Sequence, residues 1–323
     1  MDERTSAIYR RFGELETPGI SDAYSRLALA VASDAAVVDL IAGLPLPKRQ
    51  ANLVFGAAVY LGAPLEPYSA FRAWLLRRWQ EVRAVVATHS TQTNEAGRCA
   101  TLLPVLSRLE GPLALIEVGA SAGLCLHPDR YSYRYRVDGA GTVSLDPAEG
   151  PSPVVLPCTI DQGSVPQRLP EVVWRAGVDL HPIDPSDAEG LAWLRALIWP
   201  EHDERRERLA AAARIAASDP APIVRGDLLK RLPALVDAAP AGVQVVVFHT
   251  AVLVYLEPER RQQFAAMMTA MPHVRWLSNE DAGVLPGVAA QVQQPVGAGK
   301  ILALDGRAVA VTGPHGQSYA ALN

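Results

Sequence analysis

Residues Leu113–Leu126, LALIEVGASAGLCL, decide how the chain is read. Leu113 to Val118 has the composition of a buried β-strand that carries one acid, Glu117, at its end. The chain then turns through Gly119-Ala120-Ser121-Ala122-Gly123 toward an expected helix. A strand running into a glycine-spaced turn faces backbone N–H groups and a helix N-terminus toward a ligand. The turn parses as E-x-G-x-x-x-G, or as G-x-S-x-G with Ser121 at its crest, and the function depends on which parsing holds.

Downstream of this stretch, strand and helix patterns alternate. Arg130–Arg136, RYSYRYR, alternates aromatic and basic residues at period two and predicts an exposed strand at a sheet edge. Residues 138–170 are rich in Pro, Gly and short β patterns and read as an inserted hairpin-like excursion. Val172–Asp179 is a strand ending on an acid, and Pro222–Asp227 is a shorter one ending on another. Helical patterns fill 187–217 between them. Gly242–Tyr255, GVQVVVFHTAVLVY, holds the strongest strand, near-continuously apolar and so central in its sheet, with His249 just inside its end and Tyr255 read as core. A helix from Pro258 and a strand ending Ser278-Asn279-Glu280 follow, then a hairpin turning at Asp305-Gly306. This alternation predicts an α/β fold, a doubly wound, mostly parallel sheet with a C-terminal antiparallel hairpin. Ligands of such sheets collect at the carboxyl ends of the strands. Glu117, Asp179, Asp227, His249 and Glu280 all fall there.

Upstream, residues 1–110 read as a helical N-terminal region and 111–323 as the α/β domain. Ser21 and Ser33 are expected helix caps, as is Ser69. Phe71, Trp74, Leu75, Trp79, Val82 and Val86 mark one amphipathic helix face. Ser90, Thr91 and Thr93 offer further caps. Beyond them Asn94, Glu95 and Arg98 form a polar group, Asn94 and Arg98 sharing a helix face, just before the central strand. Such a group is either an ordinary polar helix start or a cluster delivered to the glycine turn.

Composition narrows the function classes. The chain has 323 residues, 49% of them hydrophobic, enough for a full core, and a net charge of −4 gives no basic field for nucleic acid. The start, MDERTSAIYR, lacks the apolar segment of a signal peptide, and no apolar run reaches the ~20 residues of a membrane span. Three cysteines without a CxxC, and seven histidines without HExxH or HxH spacing, indicate a reducing cytoplasm and no metal. No G-K-[ST] follows a strand, and the middle glycine of G-x-G-x-x-G is missing, so a P-loop and an NAD-type fingerprint are both disfavoured.

Two families meet the turn. As G-x-S-x-G it resembles the nucleophile elbow of α/β-hydrolases, with Ser121 as nucleophile and Asp281 or Asp305 with His315 in the required order. That reading lacks the earlier strands and the upstream oxyanion segment. As E-x-G-x-x-x-G the turn resembles the nucleotide-binding turn of class I S-adenosylmethionine-dependent methyltransferases. TQTNEAGRCATLLP, IEVGASAGLCL, RAGVDLHPID, IVRGD, VVVFHTAVLVYL and RWLSNE together resemble a bacterial family of unknown function with a methyltransferase-like core. The resemblance implies S-adenosylmethionine as cofactor, bound by Glu117, Gly119, Ala120, Ser121, Gly123, Asp179 and Asp227, and transfer to a small-molecule acceptor. Ser121 departs from it, standing where the common pattern has glycine. Asp138 rivals Asp179 for the ribose hydroxyls. His249 is the candidate base, Arg98 the partner of a carboxylate, and Asn94 and Glu95 the orienting groups. A methyltransferase-like fold that binds without catalysing is the third reading, because no N/D-P-P-Y segment follows the fourth strand.

Overall fold

A computed structural model describes residues 1–92, 94–293 and 295–322; the cap expected at Thr93 lies outside the described residues. The chain divides into two compact units, residues 1–93 with 187–207, and residues 94–186 with 208–323.

The first unit is helical: α1 (Glu3–Arg11), α2 (Asp22–Ala32), α3 (Ala35–Ala42), α4 (Ala51–Tyr60) and α5 (Tyr68–Thr88). The expected caps hold in part. Ser21 Oγ accepts from Tyr24 N at the start of α2, whereas Asp34, not Ser33, caps α3, and α5 starts after Pro67 with no side-chain cap. The predicted stripe on α5 is buried in full, Phe71, Trp74, Leu75, Trp79, Val82 and Val86 alike. Aromatic side chains fill this core. The Tyr24 ring lies 5.2 Å from Phe55, which meets Phe71 edge-on at 6.0 Å. Such pairs add about 1 kcal/mol each beyond the area they bury.

The second unit opens with α6 (Cys99–Leu106) and β1 (Leu113–Val118), then β2 (Ser132–Val137), β3 (Gly141–Leu145), β4 (Val155–Ile160) and β5 (Val172–Asp179). After α7 (Ala188–Ala196), which belongs to the first unit as do residues 203–207 at the start of α8 (Asp203–Ser218), come the rest of α8, β6 (Ile223–Arg225), α9 (Leu228–Asp237), β7 (Gln244–Thr250) and α10 (Pro258–Thr269). β8 (Arg275–Glu280), α11 (Pro286–Ala289), β9 (Lys300–Leu304), β10 (Arg307–Thr312) and β11 (Ser318–Ala321) complete it.

The strands form one sheet in the order β3-β2-β4-β11-β10-β9-β8-β7-β1-β5-β6. From β6 to β8 every pairing is parallel, and β8, β9, β10 and β11 then run antiparallel, as expected of a doubly wound sheet closed by a hairpin. Within the parallel part, β5 and β6 lie on one side of β1, and β7 and β8, which follow them in the chain, lie on the other. The switch point of the parallel part therefore lies beside β1. Alternation along the strands gives the sheet two distinct faces. Ala114, Ile116 and Val118 of β1 pack with Val245 and Val247 of β7, Trp276 of β8, and Leu232, Leu235, Phe264 and Met268 of α9 and α10. Leu115, Glu117, Thr250 and Asn279 alternate with these and face the other side.

Four local expectations are corrected. β2 is not an exposed edge. Tyr131, Tyr133 and Tyr135 are fully buried, and their hydroxyls donate to Leu124 O, Pro128 O and Ala100 O. Period-two alternation describes a half-buried inner strand as well as an edge, and here β3 is the edge. Residues 138–170 do begin by closing a hairpin, β2–β3, but β4 then pairs in parallel with both β2 and β11, so the segment extends the sheet. No α-helix follows the glycine turn. Short 3-10 turns at Leu124–Leu126 and Pro128–Arg130 replace it, since Pro128 cannot donate the backbone bond a continuing helix needs. Tyr255, expected in the core, is 67% exposed in the 3-10 turn after β7.

Candidate functional site

The turn after β1 is locked by its own neighbours. Gly119 N and Ala120 N donate to Val178 O at 2.8 and 3.3 Å, and Gly123 N donates to Ala120 O at 2.7 Å. Ser121 N donates to Asp179 Oδ2 at 2.8 Å, and His181 N to Asp179 Oδ1 at 2.7 Å. The cradle of outward N–H groups expected from the sequence is thus largely used up internally. Gly119 has φ +72°, and a Cβ there would lie 2.5 Å from Val252 Cγ2, so the loop after β7 presses on the turn where only glycine fits. Ser121 holds φ +50°, a region that disfavours side chains, and its Oγ is buried with no hydrogen-bond partner.

Carboxylates surround the turn. Glu117 ends β1 at 5% exposure, and its Oε2 has no partner. Burial pushes its carboxyl well above the usual range, reinforced by the nearby Cys125 thiol and opposed by the Arg98 guanidinium. Asp179 ends the neighbouring β5. The rival Asp138 follows β2, which β4, β11, β10, β9, β8 and β7 separate from β1. Asp227 caps α9, with Oδ1 accepting from Leu229 N at 2.9 Å and Oδ2 paired with Arg260.

The polar group ahead of β1 does reach the turn. Asn94 Nδ2 donates to Ala120 O at 3.0 Å. Glu95 caps the 3-10 turn Ala96–Arg98, is 4% exposed, and takes Arg208 Nε at 2.8 Å, while its carbonyl faces the Cys125 thiol. Arg98 Nη1 donates to Thr250 O at 2.9 Å and to Thr250 Oγ1 at 3.1 Å, at the end of β7.

His249 is on the other face, fully buried. Its Nδ1 lies 2.7 Å from Glu280 Oε1, and Trp276 Nε1 donates to its Nε2 at 3.0 Å. An indole nitrogen only donates, so Nε2 accepts and Nδ1 carries the proton toward Glu280. Glu280 Oε1 also accepts from Val252 N and Leu253 N. Burial pushes the Glu280 carboxyl up, but these hydrogen bonds outweigh it and hold the carboxyl below its ordinary value. Both ring nitrogens of His249, the residue expected as base, are thus engaged within the protein.

Asn279 was overlooked in favour of its neighbour Glu280. It is 1% exposed on the Glu117 face, its Oδ1 accepts from Thr312 Oγ1 at 2.8 Å, and its Nδ2 has no partner. A polar residue at a strand end was the available signal. Among the described residues no group of three His, Cys, Asp or Glu is arranged to hold a metal ion, and no helix is long and apolar enough to cross a membrane.

Residues 6–320 match DUF2332, described as an uncharacterized protein conserved in bacteria, and the chain belongs to that family. No curated protein and no solved structure matches it.

Proposed function

We propose that this family member is an S-adenosylmethionine-dependent methyltransferase acting on a small-molecule acceptor. The observation that carries this reading is the buried Glu117 Oε2, an acceptor without a donor at the switch point of a parallel β6-β5-β1-β7-β8 array. An unsatisfied buried acceptor costs about 1–3 kcal/mol, and a ligand ammonium would remove that cost. The rest of the site agrees in chemistry. Its turn has spent most of its N–H groups internally, so it is ill-suited to phosphate, whereas carboxylates stand at the ends of β1, β5 and β6. A nucleoside bearing an amino acid and two ribose hydroxyls, with no phosphate, needs such acceptors. Asp179 keeps lone pairs beyond its two backbone bonds and adjoins the turn, so it, and not Asp138, is the ribose-binding candidate. Bound here, the cofactor supplies an electrophilic methyl group, and the residues position it. The chain's cysteines are free, which suits the reducing cytoplasm in which we place it.

A hydrolase needs a histidine on Ser121 Oγ, and that atom has no partner. The test is calorimetric titration of S-adenosylhomocysteine into the whole chain and into Asp179→Ala. Saturable binding, weakened about 30-fold or more in the variant, is expected from losing hydrogen bonds to a charged group. Absent binding, with Ser121-dependent fluorophosphonate labelling, would sink the proposal in favour of a serine esterase.

A further inference from the structure

We infer, resting on that methyltransferase reading, that the acceptor is a carboxylic acid, read by Asn279, and that the product is its methyl ester. Three observations lead there. Asn279 presents a buried Nδ2 donor with no partner, its Oδ1 being taken by the Thr312 hydroxyl at 2.8 Å. Asn279 pairs in register with Thr250, and Glu117 pairs with Phe248 two residues earlier on the same strand. Thr250 and Asn279 therefore form one row across β7 and β8, with Glu117 on the same face of β1 one step earlier along the strands, and β1 and β8 about 10 Å apart. The Arg98 guanidinium is held on Thr250 and acts on Glu117. An N–H donor beside a guanidinium selects an oxyanion.

The third observation concerns the histidine expected as base. Methylating a hydroxyl or an ammonium requires a proton to leave, and His249 has both ring nitrogens occupied on the opposite face. A carboxylate is already ionised near neutrality and needs no such help. One of its oxygen lone pairs forms the new O–C bond as the C–S bond breaks. That bonding pair goes to sulfur, cancelling the sulfonium charge, so an anion and a cation become a neutral ester and a thioether and no proton moves. The Asn279 amide, without charge of its own, holds the second carboxylate oxygen.

The experiment supplies the full chain with S-adenosylmethionine tritiated at its methyl group and a deproteinised bacterial small-molecule extract. Alkali then releases any ester methyl as volatile methanol. We expect most transferred label to be alkali-labile. Asn279→Ser should cut transfer about tenfold, and Asn279→Asp, which sets a like charge against the acceptor, about a hundredfold. In both variants S-adenosylhomocysteine affinity should stay within about twofold of the parent, which also shows that they fold. Alkali-stable label would overturn the inference, and so would transfer unaffected in both variants. Saturable S-adenosylhomocysteine binding without any transfer would overturn it while leaving the cofactor reading intact. No binding at all would remove both.

Discussion

The two faces of the sheet meet their polar residues differently at the carboxyl ends of β1, β7 and β8. On the α10 face, the ring nitrogens of His249 and the Oε1 of Glu280 are saturated by Trp276, Val252 and Leu253, and only Glu280 Oε2 is left over. On the Glu117 face, Glu117 Oε2 and Asn279 Nδ2 have no partners, and neither has Ser121 Oγ in the turn beyond β1. Burial is similar on both, so burial does not separate a structural cluster from a binding one. Completeness does. The α10-face network is closed but for Glu280 Oε2, whereas the Glu117 face leaves both an acceptor, Glu117 Oε2, and a donor, Asn279 Nδ2, for something else to complete.

The comparison breaks most visibly at His249. His249→Ala removes two buried hydrogen bonds, strips Glu280 of a donor and leaves a cavity beneath Phe264. A loss of about 3 kcal/mol is expected in urea unfolding. S-adenosylhomocysteine affinity in the folded fraction should be unchanged. A variant as stable as the parent but unable to transfer methyl would return His249 to the site and undo the contrast between the faces.

Glu117 sharpens the comparison from the other side. Burial raises its folded pKa above the ordinary 4.5. The stability this group contributes is therefore fully present below the unfolded value and is lost as pH rises through the folded one. Across that window the slope is about 1.4 kcal/mol per pH unit for one proton. Glu117→Gln has no such titration. Urea midpoints at pH 5, 7 and 8.5 should fall less steeply in the variant, which should be the more stable protein by about 1–2 kcal/mol at the highest pH. Its S-adenosylhomocysteine affinity should drop about tenfold. Parallel pH profiles for the two proteins would show that Glu117 carries no burial penalty and would remove the argument for a ligand there.

Much of this was legible in the sequence, for a physical reason. Strands buried on both faces announce themselves by composition, and an acid ending an apolar run is conspicuous, so β1, β5, β7 and β8, with Glu117 and Asp179, stood out. What stayed hidden depends on pairing between distant residues. RYSYRYR alternates whichever face is covered, and only the docking of Tyr135 on Ala100 and its pairing with both β3 and β4 make it an inner strand. The four residues of β11 carry too short a pattern to be read. His249 has the same local sequence whether its ring is free or engaged, and Trp276 and Glu280, which engage it, lie 27 and 31 positions away.

Ser121 gives the smallest effect and the finest test. It holds φ +50° in a turn flanked by Gly119 and Gly123 at +72° and +70°, and its Oγ is buried without a partner. Nothing in its contacts rewards the side chain. The left-handed region costs a side chain about 1 kcal/mol or somewhat more, and glycine avoids that at the expense of a more flexible unfolded chain. Ser121→Gly should therefore raise stability by a few tenths to about 1 kcal/mol. The Asp179 carboxylate would keep its bond from the backbone N–H at 121, so S-adenosylhomocysteine affinity should hold or improve up to about threefold, and methyl transfer should persist. If transfer is lost while the cofactor still binds, the orphaned hydroxyl touches the acceptor, and the site's unpaired atoms extend from the strand ends into the turn itself.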